Sequence, residues 1–283
     1  MESQNLNKGI IFMLISALSF ALMAATVKFI KEIPIYEKVF FRNLVTLILT
    51  SSFFLIRKES PLLSKSKYNW LLLLRSLCGL IGVFLFFYAI QNLYLADASI
   101  LNKLSPLFVT LFSIIFLKEK LKKHKILFLI GTFIGALLVI KPKFDLTIIP
   151  SLAGLLSAMF AGTAYTIIRG LKGRISPFKI VFYFSLTSVI ATLPLIIINF
   201  RIPEITPLLF LTAIGIFAAG GQFFLTYAYH YAPASEISIY HYVNILFALI
   251  IGIVIWQEIP DIFSLIGAVL IITFSIWHKK IKS

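Results

Sequence analysis

The chain has 283 residues, 60% apolar and 15% aromatic, with 11 acids against 26 bases and a net charge of +15. A soluble domain of this length needs far more charge to cover its surface, so a water-soluble globular fold is excluded. The single cysteine, Cys78, lies in an apolar run, which excludes a disulfide framework.

The polar residues gather into short clusters between apolar runs of roughly 20 residues, the length that a hydrocarbon core about 30 Å thick demands of a helix. Ten spans are predicted, at about 9–29, 36–56, 70–90, 96–117, 124–141, 151–168, 179–198, 207–229, 235–256 and 261–277. No connection between them is long enough for a soluble domain. Ala24-Ala25 near the end of the first span resembles a signal-peptide cleavage site. However, Ser16-Ala17 matches Ser157-Ala158 at the start of the later half, so the first span is read as a retained helix. Trp70, Trp256 and Trp277 fall at span ends, where an amphipathic ring prefers the membrane interface.

Spans 3 and 4 recur as spans 8 and 9. Gly82–Glu119 aligns without a gap on Gly221–Glu258, shifted by 139 residues, and ten of the 38 positions are identical. Among them are Gly82/Gly221, Tyr88/Tyr227, Ser99/Ser238 and Glu119/Glu258, and Asp97 meets Glu236 as a similar pair. Apolar matches are expected between any two membrane segments, whereas matched Gly, Tyr, Ser and acids point to duplication. The predicted fold is therefore all-α, a polytopic membrane protein of ten transmembrane helices in two five-helix repeats, residues 1–145 and 146–283.

With the N-terminus inside, the inner segments carry 17 bases, including Arg57, Lys58, Lys118, Lys120, Arg174 and Lys280. The outer segments carry six: Lys28, Lys31, Lys38, Lys141, Lys143 and Arg201. The positive-inside rule then places both termini in the cytoplasm and the chain in the cell (inner) membrane. The charge is thus a topology signal with some attraction to anionic lipid heads, and nucleic acid is not an expected partner. Five spans per half, an odd number, make the repeats inverted, with Glu119 at the inner end of span 4 and Glu258 at the outer end of span 9. Alternating access follows naturally from that arrangement.

An arginine in span 2 within VFFRN (39–43), the span-4 pattern AxASxxxxxxPLFVTLFSIIFLKE and the glycine-bearing IGTFIGALLVIKP (130–142) complete the pattern. In their order across ten spans they resemble the EamA-type branch of the drug/metabolite transporter superfamily. The resemblance implies helices 1–4 and 6–9 around a central cavity, with helices 5 and 10 peripheral. It spans exporters of amino acids and metabolites and relatives that take up nucleotide-like cofactors.

Ionisable groups inside apolar spans are costly and therefore mark function. Lys103 lies about seven residues into span 4, roughly 10 Å below the outer edge at 1.5 Å per residue. The repeat aligns Asn102 with His241 and Lys103 with Tyr242, which predicts one polar pair toward each side of a central cavity. Ser99, Lys103, Pro106 and Thr110 share a helical face, and Pro106 frees a backbone carbonyl there, suiting a bend or a site. The bland reading of Lys103 is that its long stem snorkels outward to water.

Arg42 sits at comparable depth in span 2 and recurs in the family resembled; it would serve as a ligand or as a clamp between helices. Arg75 lies about one turn into span 3 from the inner side. Tyr88, Tyr227, Tyr165, Tyr240 and Gln222 offer hydroxyls and an amide for orienting a substrate, or for bonds between helices. Gly131-x-x-x-Gly135 and Gly267-Ala268 permit close helix contact, within the chain or across a homodimer.

No carboxylate lies mid-span; Asp97 and Glu236 sit in the first turns of spans 4 and 9, where a helix N-terminus favours an acid. A cavity with net positive potential favours anionic or zwitterionic substrates over lipophilic cations. His241 and His230 are the groups able to titrate near neutrality if protons are coupled. The expectation is a secondary transporter, monomeric or homodimeric and without cofactor or metal, that moves a small polar metabolite such as an amino acid, outward. The alternatives are an importer or exchanger of a nucleotide-like cofactor such as S-adenosylmethionine, and a membrane enzyme acting on lipids. The enzyme reading lacks an HExxH motif, a Cys/His cluster and a Gly-x-Ser-x-Gly elbow.

Overall fold

The computed structural model describes residues 6–61, 68–117, 123–141, 148–171, 174–198, 204–231 and 238–280. Among the described residues every regular element is helical. In chain order they are α1 (Leu6–Phe29), α2 (Ile35–Ile56), α3 (Asn69–Asn92), α4 (Leu95–Asn102), α5 (Ser105–Leu117) and α6 (Lys123–Ile140). Then follow α7 (Ile149–Gly170), α8 (Pro177–Ile198), α9 (Ile205–Tyr231), a 3₁₀ turn (Ser238–Tyr242), α10 (Val243–Trp256) and α11 (Ile262–Lys280). Seven helical segments, one of them α4 and α5 taken together, are long and apolar enough to cross a membrane; three shorter apolar stretches lie in α6, in the 3₁₀ turn with α10, and in α11.

Helix is the only open-ended way to bury backbone polar groups in lipid, because each N–H finds its partner within the same segment. The hydroxyls follow the same logic. Thr46 Oγ1 donates to the Arg42 carbonyl at 2.9 Å, Thr50 to Thr46 at 2.8 Å and Ser76 Oγ to Leu72 at 2.8 Å. The outward faces carry exposed Ile48, Leu55, Ile197, Leu209, Val254 and Val269. In water such a belt would drive aggregation; in a bilayer it is the ordinary solvent-facing surface.

The helices pair in a regular way across the middle of the sequence. α1 packs on α9 and α3 on α7; α2 meets both α8 and α9, and α3 also meets α8. α4 packs on α10 and α6 on α11. Small residues set the closest approaches. Ser16 Oγ donates to the Gly221 carbonyl at 2.7 Å, and a Cβ on Gly82 would stand 3.3 Å from the Ser157 carbonyl. A Cβ on Gly267 would fall 2.6 Å from the Gly135 carbonyl, and one on Gly131 2.3 Å from the Phe274 ring. The glycines expected to permit helix contact thus serve an intrachain joint between α6 and α11.

The expected continuous fourth span is interrupted. α4 ends at Asn102, Lys103 is its cap, and α5 starts at Ser105. Pro106 is the reason: it has no N–H to offer the Asn102 carbonyl and suits the first turn of a new helix. Short-range bonds fill the gap, Leu104 N to the Leu101 carbonyl at 3.1 Å and Leu107 N to Leu104 at 2.9 Å. Shifted by 139 residues, the same point is the 3₁₀ turn ending at Tyr242, after which α10 begins. Glu119 and Glu236, given roles at span ends from the sequence, lie outside the described residues, as does the side chain of His230.

Candidate functional site

The break between α4 and α5 faces the 3₁₀ turn that leads into α10. Lys103 Nζ stands 3.4 Å from His241 Nε2, at the long end of hydrogen-bond range. An ammonium has only donors, so the contact asks Nε2 to act as acceptor. Asn102 Nδ2 donates to Ser157 Oγ of α7 at 3.2 Å, and Phe20 of α1 meets the His241 ring edge-on, centroids 6.2 Å apart. The sequence places these polar pairs on opposite sides of a cavity. The structure instead joins Lys103 to His241, because the breaks in α4–α5 and before α10 lie at matching positions on packed helices. Tyr242 is buried in an apolar cluster with Ile100, Leu101, Leu104, Ile245 and Ile271. Thr110 turns its hydroxyl back to the Pro106 carbonyl at 2.9 Å.

A second basic cluster forms where α2, α3 and α8 meet. The Arg75 guanidinium carbon lies 4.5 Å from the centre of the Phe184 ring and that of Arg42 5.6 Å from it, each within cation–π range. Counted along their own helices the two arginines sit at different depths, yet both reach the Phe184 ring. Arg42 Nη1 donates to Asn43 Oδ1 at 3.0 Å, and Asn43 Nδ2 donates to the Val39 carbonyl at 2.8 Å. Arg42 Nε, Arg75 Nε and Arg75 Nη1 are buried and make no hydrogen bond.

The remaining candidates are dispersed. Tyr227 lies beside Phe12, 6.0 Å between centroids, in an aromatic group that also holds Phe224 and Tyr231, with Lys8 over the Tyr231 ring. Tyr88 is partly exposed on α3, and its carbonyl accepts from Asn92. The Gln222 carbonyl accepts from Thr226 at 2.9 Å on α9. The repeated tyrosine pair therefore does not converge on the Lys103–His241 contact.

Charges at the other end of α1 are fully engaged. Lys28 Nζ pairs with Glu258 and donates to the Leu93 carbonyl at 2.6 Å, over the Trp256 ring. Glu258 Oε2 accepts the Leu95 N–H at 2.9 Å, capping the otherwise unpaired N-terminus of α4. The turn after α10 aims the carboxylate there. Gln257 takes a left-handed conformation (φ 55°), with bonds from Gln257 N to Ile253 O and from Glu258 N to Gly252 O. Lys38 is buried as well and reaches the Val27 carbonyl at 3.2 Å, so two of the six bases counted as outer loop charge are structural. A cavity of about 350 Å³ opens beside Lys28, Lys31, Gln91, Tyr94 and Glu258.

The sequence model of the EamA-like transporter family matches residues 7–141 and again 148–277. The pseudopaline exporter CntI of Pseudomonas aeruginosa is 34% identical over 280 residues, covering 98% of each protein. An uncharacterised transporter of Helicobacter pylori is 29% identical over 93% of this chain and 92% of its own length. Human solute carrier family 35 member G1 is 26% identical over 97% of this chain and 81% of its own. A crystal structure only 17% identical shares the fold over the whole of both chains, with a TM-score of 0.67. The chain belongs to the EamA-like transporter family. It is a multi-pass, all-helical membrane transporter of the drug/metabolite transporter superfamily and not an enzyme.

Sequence reasoning missed Phe184, Phe20, Ser157 and the partners of Lys28. Phe184 is one of 28 phenylalanines with nothing to single it out. Ser157 left a trace through its match with Ser16, and Glu258 through its match with Glu119, but neither pointed to its partner.

Proposed function

We propose that the chain is a ten-span secondary transporter of two inverted five-helix units, 1–145 and 146–283, that exports a small anionic or zwitterionic metabolite by alternating access. Its place is the inner membrane, with both termini in the cytoplasm and the Lys28–Glu258 end facing out. The observation that carries this reading is the Lys103–His241 contact between the α4–α5 break and the 3₁₀ turn before α10, at repeat-related positions. Broken helices meeting between repeats free backbone and side-chain groups for a solute where lipid would otherwise forbid them.

The helix pairing supports the inverted repeat. With spans numbered within each half, 1 meets 3 of the other half, 3 meets 1, 2 meets 2, 4 meets 4 and 5 meets 5. Exchange of the halves leaves that list unchanged, as a pseudo-twofold axis requires. The name of the Pseudomonas relative, an exporter, supports the outward direction.

Flux in proteoliposomes tests the reading, with amino acids, dicarboxylates, nucleotides, S-adenosylmethionine and lipophilic cations in the panel. Saturable movement of an anionic or zwitterionic solute, lost in Lys103→Met, is expected. Robust flux of lipophilic cations alone contradicts it.

A further inference from the structure

We propose that Arg42, Phe184 and Arg75 form the carboxylate-binding subsite of the transport path, and that the cargo carries at least two acidic groups. This rests on the transporter reading above and narrows its substrate class from anionic or zwitterionic solutes to polycarboxylates.

Two guanidinium groups share one aromatic ring, at 4.5 and 5.6 Å, and three of their buried nitrogens have no hydrogen-bond partner. Arg75 is only 6% exposed. Buried polar groups in folded proteins are nearly always paired, so each exception asks for an explanation. An interhelical clamp does not supply one: a clamp needs acceptors, and Arg42 has only the amide oxygen of Asn43 on its own helix, while Arg75 Nε and Nη1 have none. Nor does an ion pair. Among the described residues Lys28 pairs with Glu258 and Lys141 with Asp261, and neither Arg42 nor Arg75 forms an ion pair. A guanidinium does not shed its proton to escape the cost of burial. The charge therefore stays, and a bound anion is what offsets it.

The geometry also selects the kind of anion. Arginine presents parallel N–H donors that match the two oxygens of a carboxylate. Phe184 lies within cation–π range of both groups and holds them beside one ring before a ligand arrives, which lowers the ordering cost of binding. Gly79 makes room for this: a Cβ there would stand 2.9 Å from Phe184 Cε2 and 3.7 Å from Arg75 Nη1. With Lys103 the path holds three cations and, among the described residues, no carboxylate partner for them. A zwitterion brings no net charge to offset them, whereas a solute with two or more carboxylates does.

The test is a thermal-shift titration of purified protein at constant ionic strength with alanine, glutarate, citrate and inorganic phosphate. Glutarate and citrate are expected to stabilise the wild type and alanine to have no effect. Arg42→Lys and Arg75→Lys, which keep the charge and lose the fork, are expected to weaken citrate at least tenfold while the ligand-free melting temperature holds. Three results overturn the proposal: no shift with either carboxylate, equal shifts in wild type and both lysine variants, or phosphate binding in preference to citrate. Alanine binding that responds to Lys103→Met and not to Arg42→Lys or Arg75→Lys overturns it while sparing the broader transporter reading. Absence of flux for every solute in the proteoliposome panel strikes that broader reading instead.

Discussion

Two groups of buried charge sit in one bundle and are treated in opposite ways. At the C-terminal end of α1 Lys28 is met by a carboxylate, a carbonyl and an indole face, and the carboxylate itself caps α4. In the middle Arg42 and Arg75 share a phenyl ring and leave three nitrogens unanswered. A charge that only has to hold helices together is closed off by partners. A charge kept open at such cost is held for something that comes and goes. The first group should therefore govern stability, the second transport.

The strongest way to break the comparison is to make the paired site resemble the open one. Glu258→Gln leaves Lys28 buried without its anion and is expected to cost about 3–5 kcal/mol, the range for removing one partner of a buried pair. Loss of melting temperature in detergent reads this out. Replacing both partners with apolar residues, Lys28→Met with Glu258→Leu, should recover much of the loss, since the desolvation cost disappears with the charges. Failure of the double variant to recover would mean that the capping bond to Leu95 N–H, and not the ion pair, carries the effect.

A steric variant separates charge from packing. Gly267→Leu forces atoms into the α6–α11 joint, where even a Cβ falls 2.6 Å from the Gly135 carbonyl. A cost of about 1–3 kcal/mol is expected from overpacking, with substrate selectivity unchanged, because this joint lies apart from both charge clusters. Altered selectivity would place the joint in the transport path.

The smallest effect belongs to an ion pair that is not buried. Lys141 Nζ meets Asp261 Oδ2 at 2.5 Å, but the two side chains are 34% and 50% exposed. The hydrogen bond from Lys141, with a second from the Ser264 N–H, holds the Asp261 carboxyl below its usual range. A depressed carboxylate contributes stability above its unfolded value near 3.9, and that contribution is lost as pH falls through its folded value. Solvent screening keeps it to about 0.2–1 kcal/mol, so Asp261→Asn should shift melting slightly at neutral pH and not at all in strong acid. A large shift at neutral pH would erase the distinction between buried and exposed pairs.

The spans were legible because a bilayer imposes a length, and seven helical segments meet it close to the predicted bounds. A recurrence was legible because Gly, Tyr and Ser return at one offset, and the family model likewise matches twice, at residues 7–141 and 148–277. Lys103 and His241 could be singled out as polar groups in apolar runs, but their contact could not. The alignment pairs His241 with Asn102, and only the break before Pro106 brings the lysine across. Lys28 and Glu258 are 230 residues apart, and residue order says nothing about lateral neighbours among many packed helices. The Arg42–Arg75 pair stayed hidden for the same reason: depth along each helix separates them, while Phe184 joins them.

The most direct test of the central claim measures stability and flux together in Arg75→Met. Removal of a buried charge without a partner should leave the melting temperature equal to wild type or higher, while transport of a carboxylate solute in proteoliposomes falls to background. A melting temperature that drops together with flux would show Arg75 to be a structural clamp, and would contradict the division between charges that hold the bundle and charges that hold its cargo.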